Sequence, residues 1–320
     1  MKRLVSLPII GLILVATPCL TANGHQALAP ANDQPAHISV DVDLVLLQAT
    51  VTGRHGRLVS GLTEKNFHAY EDGVPQQICL FRHEDVPVGV GLVVDHSGSM
   101  RKKLAEVSAA ARTFVHSSNR DDQMFVVNFN ENVSLGLPSS IRFSHDATEL
   151  ESAILRAPAG GKTALYDAIV EALEQLRTSI LDKKVLIVIS DGGDNASTHT
   201  LNQVLNLAEQ SDAIIYTTGI YDEDDPDRNP HVLRRLARAT GGEAFFPEKV
   251  TDVVDICTGI ARDIRNQYTI GYVPTNPTRN GGHRAIRVVA QAPAQGRLLV
   301  RTRTGYIAQP AKPEKNENTE

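Results

Sequence analysis

The chain has 320 residues, 32 basic against 37 acidic side chains, a formal charge of −5, no tryptophan and three cysteines. That length suits one large or two modest domains with a sizeable core. The acidic balance argues against nucleic acid as a partner, because affinity for phosphates rests on Lys and Arg neutralising them.

Residues 1–24 read as a cleaved secretory signal, with an uncleaved membrane anchor as the alternative. Lys2 and Arg3 precede an apolar run from Leu4 to Ala16, and small and polar residues follow. The run is shorter than the roughly 20 residues a bilayer span requires, and no second apolar stretch in the chain is long enough. The mature protein is therefore expected to be secreted or periplasmic, without a transmembrane helix. Cleavage after Ala22 or Gly24 fits the small residues there, while Pro18 before Cys19 disfavours lipidation. With Cys19 removed, Cys79 and Cys257 remain in a compartment that permits disulfides. Cys79 lies in the strand-like run Gln77–Phe81, and Cys257 in a helical apolar stripe with Val253, Ile256, Ile260 and Ile264. Buried free thiols are common, so bridge and free pair both stay open.

Residues 25–37 form a polar, proline-containing linker. An N-terminal β segment over 38–85 follows: Val40, Val42, Leu44 and Leu46 alternate with polar neighbours, a turn falls at Gly53–Gly56, and Asp72-Gly73 separates Phe67–Tyr70 from a strand over Gln76–Arg82. These strands are too few to be stable alone. From Val88 strands and helices alternate. The pattern predicts strand 88–94, helix 101–117, strands 124–129 and 133–137, helices 147–157 and 164–179, and strand 184–190. Helix 201–210, strand 213–219, helix 231–240, strand 243–246 and helix 251–266 complete it. Continuous apolar runs such as Val185–Ile189 are what parallel strands covered on both faces look like. The fold class is therefore α/β, a doubly wound, mostly parallel Rossmann-like sheet over residues 86–267. Residues 268–308 return to strands (268–273, 285–290, 298–304), expected to pair with the N-terminal segment into a β-sandwich-like unit with the α/β domain inserted. The tail 309–320 is polar and expected to be disordered.

The most informative segment is Leu92-Val-Val-Asp95-His-Ser97-Gly-Ser99-Met100. It sets one carboxylate and two hydroxyls on a tight loop at a strand end. In open α/β sheets ligands bind beyond the carboxyl ends of the strands. Asp191, in Ser190-Asp-Gly-Gly-Asp194, and Thr163, in Gly160-Gly-Lys-Thr-Ala164, occupy loops at the same end. An oxygen-only set of this kind suits a hard divalent cation, Mg2+ above all.

This constellation resembles the von Willebrand factor type A (VWA) domain and its metal-ion-dependent adhesion site, with all five positions intact. The resemblance implies that Ser97, Ser99 and Thr163 give hydroxyl oxygens to Mg2+, with Mn2+ as a substitute. Asp95 and Asp191 would act mainly through coordinated water. A sixth position would be left for an exposed Asp or Glu of a protein partner. It also implies possible movement of the last helix between states. The segments Phe67-His-Ala-Tyr70-Glu-Asp-Gly73, Gln267-Tyr-Thr-Ile-Gly-Tyr272 and Arg303-Thr-Gly-Tyr306 extend the resemblance to secreted bacterial VWA-related proteins frequent in Acidobacteria.

Other signals carry less. Gly161-Lys-Thr163 echoes the end of a P-loop, but Arg156 stands where that motif needs glycine, and a helix precedes it instead of a strand. The acidic loop Tyr221–Pro230 could hold a second cation, Ca2+, near 222–227, or simply be solvated or steer basic partners. His96 is expected to face solvent or the neighbouring loop. Ser97 and Ser99 have no evident histidine base, Asp194 is the sole candidate general base, and no catalytic residue is assigned. The expected function is metal-dependent protein binding. An accessory subunit of an enzyme complex, or a scaffold with a stabilising metal site, is the alternative.

Overall fold

The structure, a computed structural model, describes residues 44–221, 228–293 and 296–309. The expected signal segment, linker and tail lie outside these residues. Among the described residues no helix is long and apolar enough to cross a membrane.

Strands β1 to β4 are Val45–Thr52, Phe67–Glu71, Val74–Gln76 and Ile78–Arg82. The central sheet contains β5 (Val88–Asp95), β6 (Gln123–Phe129), β7 (Val133–Leu135), β8 (Lys183–Ser190), β9 (Ala213–Gly219) and β10 (Ala244–Phe245), in the order β10-β9-β8-β5-β6-β7. All pairs are parallel except β6 with β7. Helices α1 (Leu104–Ser117), α2 (Ala147–Leu155) and α6 (Val253–Arg265) form one group, α1 touching the other two. Helices α3 (Leu165–Arg177), α4 (Leu201–Gln210) and α5 (Pro230–Thr240) form the other, centred on α4. Every residue of β5 is buried, as expected of a strand covered on both faces. The chain leaves β5 toward β6 on one side and returns through β8 on the other. The two strand ends thus flank the point where strand order reverses, the usual crevice of such sheets.

The remaining strands build a sandwich. β1 pairs with β11 (Tyr268–Tyr272, Leu47 opposite Ile270) and with β13 (Leu299–Arg301, Val51 opposite Val300), and β4 pairs with β11. In the second sheet β12 (His283–Ala290) lies between β2 and β14 (Gly305–Ile307), with β3 beyond β2. Each sheet mixes strands from both ends of the chain. Leu47, Phe67, Tyr268, Ile270 and Val288 share one core between them.

Three boundaries differ from expectation. The strand expected over 76–82 is two strands in different sheets. The Asp72-Gly73 turn, both residues at positive φ, locks β3 onto β2. The chain then crosses at Gln77 so that β4 can pair with β11. Alternation cannot reveal which sheet a strand joins. The first α/β helix begins at Leu104 instead of Arg101, because residues 98–100 form a separate 3-10 turn. The last expected strand, 298–304, is shortened to β13, and a further strand that was not expected, β14, follows in the opposite sheet. Both cysteines are free: Cys79 is exposed, and burial among apolar side chains pushes the Cys257 thiol up to about 12.

One buried polar group ties the α/β domain to the sandwich. Asp263 of α6 is 7% exposed. Its carboxylate accepts from Thr50 Oγ1 of β1 at 2.7 Å and from the Tyr216 hydroxyl of β9 at 2.8 Å, and pairs with Arg301 of β13. Gln267 Nε2 donates to the Tyr216 hydroxyl at 3.1 Å and to Thr50 Oγ1 at 3.3 Å. Nearby, Lys183 Nζ donates to the Ile264 carbonyl at the C-terminal end of α6, where helix carbonyls favour a cation.

Removing one member of a buried ionic group leaves its partners unpaired. Asp263→Ala is expected to lower unfolding free energy by about 3 kcal/mol in urea titrations. Burial pushes the Lys183 ammonium down to about 8, against the attraction of Asp263, Asp85 and Asp122. Between that value and the ordinary lysine pKa the unfolded chain binds more protons, so this group's contribution to stability rises with pH. The stability of the wild type relative to Lys183→Met should therefore improve by about 2 kcal/mol from pH 8 to pH 10 in urea unfolding.

Candidate metal centre

Asp95 ends β5 and is 0% exposed, and Asp191 follows β8 at 1%. The backbone turns sharply after Asp95, and Ser97 N–H donates to Asp95 Oδ1 at 2.7 Å. Ser190 Oγ donates to Asp95 Oδ2 at 2.7 Å, linking the two strand ends. Ser99 Oγ donates to Asp191 Oδ2 at 2.6 Å and lies 3.1 Å from Ser97 Oγ, while Gly193 N–H donates to Asp191 Oδ1 at 3.0 Å. Four of the five expected residues thus form one hydrogen-bonded group.

Thr163 belongs to the third loop. Its hydroxyl takes no part in that group, but its backbone is fixed on both sides. Thr163 N–H donates to Asn195 Oδ1 at 2.9 Å, and its carbonyl accepts from the N–H groups of Asn195 at 3.0 Å and Ala196 at 3.1 Å. Gly98 N–H donates to the Gly161 carbonyl at 3.3 Å, and Gly160 N–H to the His96 carbonyl at 2.7 Å. All three loops therefore meet at one place.

Several contributors were not legible as such. Ser190 and Asn195 act through contacts between distant segments, which local spacing does not encode. Asp194, the candidate base of the sequence, is tied to the start of α3. Its Oδ2 accepts from Tyr166 N–H at 2.9 Å and Ser197 Oγ at 2.6 Å, which satisfies the first turn of α3. Asp167 in turn accepts from the N–H groups of Thr198 and His199, each at 2.9 Å. His96 is not solvent-facing: it is 0% exposed, with Nε2 at 3.1 Å from Asn128 Oδ1. Its N–H bonds to the Phe129 carbonyl at 2.6 Å and turns the ring inward, where burial pushes its pKa down. Asn128, polar within the buried part of β6, was the sequence signal that an inward partner is needed. Residues 222–227, expected as a second cation loop, lie outside the described residues.

Burial is the main reason the Asp95 carboxyl is pushed up to about 6, and the Asp191 charge adds to it, against the Ser97 and Ser190 hydrogen bonds. No Lys or Arg bonds to either carboxylate among the described residues. No group of three or more His, Cys, Asp or Glu among them is arranged to hold a metal ion by itself, so the hydroxyls are needed as ligands. The donors are oxygens only, two of them anionic. That chemistry fits a hard divalent cation and does not fit a thiolate- or imidazole-preferring one.

The sequence pattern of the von Willebrand factor type A domain matches residues 90–258, more than half of the chain. The chain belongs to that family. All five strand-tip residues fall within the matched VWA region, and the sandwich strands fall outside it. Domains of this family are generally protein-interaction modules rather than enzymes. A von Willebrand factor type A structure from Catenulispora acidiphila aligns over 83% of this chain and 74% of its own, at 14% identity and a TM-score of 0.50. The conserved hypothetical protein BatB from Bacteroides thetaiotaomicron aligns over 55% of this chain and 97% of its own, at 14% identity and a TM-score of 0.45. The corresponding domain of the type V pili tip protein Mfa5 from Porphyromonas gingivalis covers 56% and 95%, at 16% identity and 0.47. At such identities the likeness is one of fold. No curated protein sequence matches the chain.

The loop geometry of this VWA domain sets a testable requirement. Gly161 sits at φ +85°, and a Cβ there would collide with the Glu131 carboxylate, which accepts from Lys162 N–H at 2.9 Å. Gly161→Ala is expected to lower stability by about 1–3 kcal/mol in thermal or urea unfolding. Asp194→Ala should cost about 1 kcal/mol by removing the cap of α3.

Proposed function

We propose that this protein is a secreted or periplasmic binding module whose VWA domain holds Mg2+ at Asp95, Ser97, Ser99, Thr163 and Asp191 and there binds an acidic group of a partner protein. The observation that carries the reading is the pairing of two buried carboxylates with hydroxyls between them and, among the described residues, no Lys or Arg bonded to either. Ser97, Ser99 and Thr163 would offer neutral oxygens, and Asp95 and Asp191 the negative charge. A bound Mg2+ supplies an electrophilic centre for an Asp or Glu oxygen, more so when few carboxylates neutralise it directly. The five residues match the adhesion-type pattern position by position. The apolar run behind Lys2 and Arg3 supports export, and the motifs at 67–73, 267–272 and 303–306 support kinship with the secreted acidobacterial group. Segments 38–85 and 268–308 would then frame the domain as its carrier. Binding is favoured over an accessory role in hydrolysis because Asp194, the one candidate base named from the sequence, already holds the first turn of α3 and Ser197.

The test uses Mn2+ as probe. In the Mn2+-loaded protein, water proton relaxation reports solvent on the ion. A short peptide with one central Glu should lower the relaxation enhancement, and its Gln counterpart should not. Thr163→Ala should weaken Mn2+ binding by ~10-fold or more, the least expected for a lost ligand when even outer contacts are worth that much. Equal effects of the Glu and Gln peptides would overturn the proposal.

A further inference from the structure

Away from the strand tips, an open groove of about 570 Å³ runs between α5 with β10 and the sandwich strands β12 and β13. It is lined by Arg234, Arg238, Arg287, Arg301 and Arg303, with Glu243 the one acid among its walls. In a chain where acids outnumber bases, this concentration of guanidinium groups stands out. Helix α5, Pro-His-Val-Leu-Arg-Arg-Leu-Ala-Arg-Ala-Thr, contains no acid at all.

Two of the five arginines are already committed. Arg301 pairs with Glu243 and Asp263, and Arg303 donates to Asp212 at 2.8 Å and to the Glu209 carbonyl at 2.6 Å. Arg234, Arg238 and Arg287 are exposed and have no carboxylate partner among the described residues. Arg234 lies over the Phe246 ring at 4.3 Å, and Arg287 over Tyr70 at 4.1 Å. Stacking fixes the plane of a guanidinium and leaves its donors available, which favours bidentate recognition of carboxylates.

A further observation points to a peptide. β10 ends the central sheet and β13 ends a sandwich sheet, so both walls present an open strand edge, and an extended chain can pair with such an edge.

We infer that this groove binds a short acidic peptide segment of a protein partner, extended along the open edges of β10 and β13. The inference does not depend on the metal site. Its test is fluorescence anisotropy of a fluorescein-labelled peptide of alternating Glu and Val, titrated with the full chain in EDTA. Saturable binding is expected, weakened ~10-fold or more by Arg234→Glu with Arg238→Glu, and also by Arg287→Glu, as loss of charge complementarity requires. A peptide of the same charge with N-methylated Val amides should bind more weakly, because it cannot complete strand pairing. All three arginines are exposed, and Arg→Gln versions provide a second set if a charge reversal disturbs folding. Unchanged affinity in the arginine variants would overturn the inference. So would equal affinity for the N-methylated peptide, or tighter binding of heparin through the same arginines.

Discussion

Two carboxylates, Asp95 and Asp191, lie side by side at the reversal point of the sheet with 0% and 1% of their surface exposed. Burying like charges is expensive unless hydrogen bonds or a counter-charge offset it. The strand tips are built around that constraint. Ser190, Ser99 and the N–H groups of Ser97 and Gly193 supply the hydrogen bonds. No side-chain cation supplies the counter-charge among the described residues, and the proposed Mg2+ would take that part. The Thr163 loop, by contrast, is bound to both neighbours by its backbone. Its position is set before any ligand is considered.

Much of the fold was legible where local rules and tertiary packing agree. α4 and β9 lie where the sequence placed them, at Leu201–Gln210 and Ala213–Gly219. Thr200 and Gln203 form a capping box that fixes the start of α4, and a short polar break separates it from an apolar run. Asp95, Ser97, Ser99 and Asp191, which meet in one hydrogen-bonded group, were visible because D-x-S-x-S and S-D-G are local patterns at strand ends. What escaped depends on partners far along the chain. The division of 76–82 between two sheets, the inward turn of His96 and the capping role of Asp194 are each decided by a contact with another segment.

The Asp263 group shows the same limit on a larger scale. Thr50, Tyr216, Asp263 and Arg301 come from four separate elements and carry no shared sequence signature, yet they join α6 to both ends of the chain. The sandwich is therefore attached to the last VWA helix by a buried ionic contact rather than by a flexible connection. Lys183 holds the C-terminal end of that helix as well. Any displacement of α6 in this protein would have to break these contacts, which distinguishes it from a VWA domain standing alone.

The most direct measurement is calorimetric titration of Mg2+ into the metal-stripped protein beside Asp95→Ala, with folding of both verified by circular dichroism. The account predicts saturable binding of one ion in the wild type and its loss in the variant. Absence of binding in the folded wild type, or identical binding in Asp95→Ala, would contradict it.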